Sequence, residues 1–116
     1  MPTEELYGDS ATISTTEYSC PNDTTYSSGS ALTTEGIYQI FLDLGNMASG
    51  DQYQIRIYEK CLSGSTQRVI YEAIVTGTMA STWVSPSLIL LHGWDVTLKK
   101  LAGTDRSLEW SIRSVT

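Results

Sequence analysis

Residues 36–44 alternate. Tyr38, Ile40, Leu42 and Leu44 fall on one side, and Ile37, Gln39, Phe41 and Asp43 on the other. Successive side chains of an extended backbone point to opposite faces, so this period of two predicts a strand. The same pattern returns downstream. Tyr53, Ile55 and Ile57 alternate with Gln54, Arg56 and Tyr58. In residues 67–76, Val69, Tyr71, Ala73 and Val75 share one side, and Ile70 and Ile74 the other. Trp94, Val96 and Leu98 alternate with Asp95, Thr97 and Lys99, and Leu108, Trp110 and Ile112 with Glu109, Ser111 and Arg113. A helix needs apolar residues three and four apart, and these segments lack that spacing.

Turn signals punctuate the strands. Residues 45–50 read as a turn, and Ser63-Gly64-Ser65 closes a hairpin between the strands on either side. The loop around Gly103 closes a second predicted hairpin, joining the last two strands. Trp83 to Pro86 reads as a short edge segment, because proline cannot donate to a ladder. Residues 87–91 fit either a strand or one helical turn. The first 35 residues are richer in Thr and Ser and poorer in large apolar side chains, with turn signals at residues 20–23 and 28–30 and one short strand at 11–16. The expectation is one all-β domain, a small antiparallel sandwich or partly closed barrel over residues 36–116. Residues 1–35 form an N-terminal arm carrying that first short strand, either lying on a neighbour or loose.

Composition sharpens this picture. The chain has 116 residues, a common size for one domain. Only 17% of them are charged, with Thr, Ser, Gly and Tyr in their place, residues that suit strands and turns. The net charge is −6, and the seven Lys and Arg are scattered. Binding to nucleic acid rests on neutralising phosphates, so neither nucleic acid nor an anionic membrane is an expected partner. The acidic start lacks the basic and apolar regions of a secretory leader, which makes the cytoplasm the expected place of synthesis. The apolar run Leu88-Ile89-Leu90-Leu91 is too short to span a bilayer. Cys20 and Cys61 have no CxxC spacing and too few companions for a structural zinc site. Whether they are bonded is not readable from the sequence.

Catalytic chemistry finds little to stand on. His92 is the only histidine, and nothing nearby fixes a triad with it. Asp43, Asp51, Glu59, Glu72, Asp95 and Glu109 could supply a carboxylate pair, but all are expected outward or in turns. No phosphate-binding glycine motif and no dense calcium loop is present. The expected site is therefore without catalytic, cofactor or metal residues. Trp94 and Trp110 share the inward register and are expected to be buried. What the pattern does single out is apolar surplus. Ile37, Phe41, Tyr58, Ile70 and Ile74 fall on faces that a lone sandwich would keep polar, and Trp83 is free to be exposed. These six are the candidate interface, covered by the arm or by other subunits.

Residues 36–44, Gly50-Asp51-Gln52-Tyr53 and Tyr58-Glu59-Lys60 resemble small virion proteins of tailed bacteriophages. So do Ser85-Pro86-Ser87-Leu88, residues 92–100, Gly103-Thr104-Asp105-Arg106-Ser107 before Glu109-Trp110-Ser111-Ile112, and the opening Gly8-Asp9-Ser10-Ala11-Thr12-Ile13. The resemblance implies a capsid decoration (cement) or other head-auxiliary protein. Such a protein is β-rich and non-enzymatic, often trimeric, and binds the major capsid protein on the outside of the head. A tail or fibre component and a carbohydrate-binding receptor module are the alternatives.

Overall fold

The computed structural model describes residues 3–27 and 32–115. Ten strands build two antiparallel sheets: β1 (Thr3–Ile13), β2 (Tyr18–Ser19), β3 (Thr24–Thr25), β4 (Gly36–Asp43), β5 (Gln52–Glu59), β6 (Arg68–Thr76), β7 (Thr82–Val84), β8 (Leu88–Leu90), β9 (Asp95–Ala102) and β10 (Arg106–Val115). The first sheet runs β1-β10-β4, with β7 and β8 one after the other along the far edge of β4. The second runs β3-β2-β9-β5-β6. Pairing is nested: β1 with β10, β2 with β9, β4 with β7 and β8, and β5 with β6. That is the strand order of a double-sheet jelly roll, one of the two architectures the sequence predicts.

The core lies between the sheets. Tyr38, Ile40 and Leu42 of β4 and Leu108, Trp110 and Ile112 of β10 face Tyr53, Ile55 and Ile57 of β5 and Val96 and Leu98 of β9. Each set is one side of an alternating segment, so the period of two places these residues correctly. Trp94 is fully buried, packs at a tilt with its ring 4.7 Å from that of Tyr38, and donates its indole N–H to the Thr34 carbonyl at 2.9 Å.

Two expectations are corrected. The last two strands do not form a hairpin: β9 belongs to the second sheet and β10 to the first, and the Gly103 turn carries the chain between them. Nor is the N-terminal segment merely an arm: residues around Glu17 and Tyr26 lie over the second sheet, but most of it is built into the sheets. β1 is an eleven-residue strand paired along most of β10. β2 and β3 extend the second sheet, and Ile13 and Cys20 sit in the common core. Ser10 and Thr12 of β1 and Thr24 and Thr25 of β3 are exposed on edge strands, whereas Ser19 of β2 is fully buried.

The segment 82–91 is a strand interrupted by Pro86. β7 and β8 both pair with β4, and the missing proline donor falls between them. Buried Ser85 bridges the gap. Its N–H donates to the Ile40 carbonyl at 2.9 Å, and its hydroxyl accepts the Ile40 N–H at 2.9 Å.

Candidate interface

The six candidate residues do not form one patch. Ile37 and Phe41 point outward from β4. Each pairs across the ladder with another apolar residue, Ile37 with Ile89 and Phe41 with Val84. Ile89 is 77% exposed and Ile37 46%, so the outer face of the first sheet carries two apolar pairs, with Gln39 between them. Arg113 lies over the Phe41 ring at 3.9 Å. Beside it opens a hollow of about 210 Å³ lined by Ile37, Phe41, Ser87 and Arg113.

Ile70 and Ile74 stand on the other side of the molecule. They project from the outer face of β6, the last strand of the second sheet, and both are about half exposed. Val69 is exposed beside them. Among the described residues β6 pairs with β5 alone, so its other side presents unpaired backbone donors and acceptors. This is the arrangement that invites strand addition.

Tyr58 and Trp83 leave the candidate set. Tyr58 is buried. Its ring stacks on Tyr26 at 4.6 Å, and its hydroxyl donates to Glu17 at 2.5 Å. Thr97 donates to the same Glu17 oxygen at 2.6 Å. Residues before β4 thus cover part of the outer face of the second sheet, which is why an apolar body at position 58 is tolerated there. Burial and the Glu17 carboxylate push the Tyr58 hydroxyl up to about 12. Trp83 is half-buried on the inner side of β7, 6.1 Å from Tyr71 of β6, and plugs the open seam between the sheets.

Two carboxylates expected at the surface are buried. Asp51, in the turn before β5, accepts the N–H groups of Thr104 and Ala48 at 3.0 and 2.9 Å and Arg106 Nε at 2.7 Å. Those bonds hold its carboxyl down at about 2. The Gly103 turn, with φ of +91°, packs so tightly on Asp51 that a Cβ would sit 2.2 Å from its carboxylate. Asp95 is fully buried beside Cys20. Its Oδ1 accepts Ser19 Oγ at 2.6 Å and the Val96 N–H at 2.8 Å. Burial raises its carboxyl to about 6, against the opposing pull of those bonds. Burial likewise pushes the Cys20 thiol well up.

Both cysteines are free, Cys20 inside and Cys61 outside. His92 sits in a loop whose backbone is clasped by Glu59, which accepts the N–H groups of Leu91, His92 and Gly93. Among the described residues, no group of three or more His, Cys, Asp and Glu gathers to hold a metal. Asp43 and Glu109 lie directly across from each other on the open face of the first sheet.

No protein family matches this chain by sequence, and no curated protein does. Solved structures do. A subunit of the Bacillus endospore appendages, described as a novel family of disulfide-linked pili, superposes with a TM-score of 0.54 at 14% identity, over 98% of this chain and 87% of that one. PirA superposes at 0.47 with 10% identity, over 96% and 94% of the two chains. The Drosophila NLP core superposes at 0.44 with 16% identity, over 99% and 98%. At such identities the first likeness shows the shared fold, and the other two carry no weight.

Proposed function

We propose that this chain is a non-enzymatic structural subunit that ties neighbouring proteins together, on the outer surface of a phage head in the form the sequence resemblance suggests. One observation carries this reading: exposed apolar residues stand on the outer faces of both sheets, Ile37, Val84 and Ile89 on the first and Val69, Ile70 and Ile74 on the second, and these faces point in opposite directions. A monovalent binder needs one such surface. A subunit with two can bridge two partners, and in an array its weak contacts add by avidity. The partners would be the major capsid protein or other virion subunits, and the location the virion surface after assembly in the host cytoplasm. The geometry offers little to catalysis, since Asp51 and Asp95 are sealed in the interior and Asp43 and Glu109 line a shallow, widely open hollow on the outer face.

Co-sedimentation with DNA-filled heads tests it. The wild type is expected to pellet with heads at stoichiometric copy number. Ile89→Lys, and separately the pair Ile70→Lys and Ile74→Lys, should each reduce occupancy at least about tenfold by placing a charge in a desolvated contact. A well-folded protein that leaves every head preparation unoccupied rejects the head-surface form.

A second reading, a self-assembling surface appendage, draws on the likeness to the Bacillus appendage subunit over nearly the whole of both chains. The long edge strands β1 and β6 would serve it. Electron microscopy of purified protein separates the two: filaments without added partners favour the appendage, and discrete particles with head binding favour the virion.

A further inference from the structure

A short stretch of chain covers a buried acid on the outer face of the second sheet. Asp95 and Tyr58 stand opposite each other in the ladder between β9 and β5, and Thr97 and Ser19 share the next outward row. Residues 17–27 close over them. Glu17 accepts the hydroxyls of Tyr58 and Thr97, the Tyr26 ring lies on Tyr58, and Ser19 donates to Asp95 while accepting from Asn22 at 2.9 Å. Main-chain bonds hold this cover lightly. β2 meets β9 over two residues, among the described residues β3 meets β2 alone, and the Cys20 N–H adds one bond to the Val96 carbonyl. On either side the chain is fixed: the Ser14 carbonyl accepts the Lys100 N–H, and Leu32 exchanges two main-chain bonds with Trp94. Beneath the cover Asp95 is fully buried, and its Oδ2 has no hydrogen-bond partner. Its ionisable neighbours offer no help to a charge. Glu17, from the cover itself, is a second carboxylate that opposes it, while Cys20 of β2, Tyr26 and Tyr58 of β5 are each raised by burial and stay neutral. Arg56, on the same face, is paired with Glu72. Lys60 lies along Gly93 and Lys99 is four residues further along β9, yet among the described residues no ion pair reaches Asp95. A buried carboxylate with an orphaned oxygen and no cation is costly once charged, and the lightly held cover is the part that can let water in.

We propose that residues 17–27 are a proton-dependent latch: with Asp95 protonated they lie closed on the outer face of the second sheet, and its ionisation lifts them while the two sheets stay together. The closed latch keeps the Asp95 proton up to about 6, against the ordinary 3.8 of the open form. Closure is therefore favoured in full below about pH 4. The open share climbs about tenfold per pH unit between about 4 and 6 and levels off above that. Lifting the latch uncovers Tyr58 on the face that also carries Ile70 and Ile74, so the surface this sheet offers to a partner is larger at neutral than at acid pH. The latch does not depend on the phage or appendage reading.

Cys20 reports on the latch, because its buried thiol sits at the end of β2 beside Asp95. The experiment measures its labelling by a small aromatic disulfide from pH 4 to pH 7, in protein whose exposed Cys61 is replaced by Ser. Asp95→Asn in the same background is the reference. Dividing the wild-type rate by the variant's at each pH cancels the thiol's own ionisation. The ratio is expected to lie within about threefold of one at pH 4 and to rise at least about tenfold by pH 7. Amide hydrogen exchange of β10, followed alongside, should keep its protection throughout, since the sheets do not part. A ratio that stays flat with pH overturns the proposal. So does a loss of β10 protection in step with the labelling, which would mean global unfolding. Should the Asp95→Asn protein not fold, wild-type exchange at the Cys20 and Tyr26 amides, corrected for intrinsic rate and set against β10, decides: it must rise with pH alone.

Discussion

Asp95 and Asp51 show how far single residues escape a pattern reading. Both stand where alternation or turn composition says solvent, and both are buried, because neighbours remote in sequence close over them: Ser19 over Asp95, and Thr104 with Arg106 around Asp51. Only the fold brings those partners near. The two carboxyls bias stability in opposite senses. Asp51 is held below its ordinary value, so its contribution is complete above about pH 4 and is lost as pH falls toward 2. Asp95 is raised from 3.8 to about 6, so the folded state holds its proton more tightly than the unfolded chain. Its stabilising protonation is complete below about pH 4 and is lost as pH rises through 6. A shift of that size corresponds to about 3 kcal/mol. Stability should therefore peak near pH 4. Asp95→Asn keeps an oxygen to accept from Ser19 and Val96 and removes the buried charge. It is expected to raise stability at pH 7.5 by about 1–2 kcal/mol and to flatten the decline between pH 4 and 7, while the acid limb from Asp51 remains. Urea titrations across that range check it, and an unchanged slope in the variant would show that another group titrates there.

At the scale of elements, each main strand from Gly36 onward was legible, because each keeps an apolar side with the period of two, even in β5 and β9, which bury residues on both faces. Pairing was not legible beyond one case. β5 and β6 adjoin in sequence and pair in space, so turn chemistry identifies the hairpin. Every other main pair is nested around it, and local signals say nothing about a partner many tens of residues away. That is why β9 and β10 read as a hairpin and β1 as an arm. The consequence is a chain whose ends close the fold, since β1 and β10 pair along nearly their whole lengths. Deleting residues 1–13 should therefore remove an integral strand. It exposes the backbone of β10 and takes Ile13 from the core, a loss of several kcal/mol by the usual cost of emptying a large buried site. The expected product has no cooperative thermal transition. A truncated protein with dispersed NMR shifts and a melting temperature near that of the full chain would restore the arm.

For the molecule as a whole, the resistance to unfolding and the tendency to associate are set by different parts of the structure, and pH brings them into conflict. Net charge is −6 at neutral pH and vanishes near the pI of 4.5, close to where Asp51 and Asp95 together favour the folded state most. Repulsion between copies is weakest there, while β6 still offers an open backbone edge flanked by Val69, Ile70 and Ile74. Proteins commonly guard such an edge with lysine or proline. Along β6 the charged residues are Arg68, at its very start, and Glu72, which is already paired with Arg56 at 2.7 Å. Sequence periodicity did reveal the surplus isoleucines, but not that they sit on an edge, which is a property of sheet order. Native protein should accordingly associate fastest near pH 4.5, close to where it is hardest to unfold. Ile70→Lys with Ile74→Lys places two cations on that edge without touching the core. Light scattering should show association at pH 4.5 slowed at least about tenfold, with stability changed by no more than about 1 kcal/mol. If the double variant instead associates as quickly as the wild type, β6 is not the sticky edge, and the outer face of the first sheet becomes the surface that governs association.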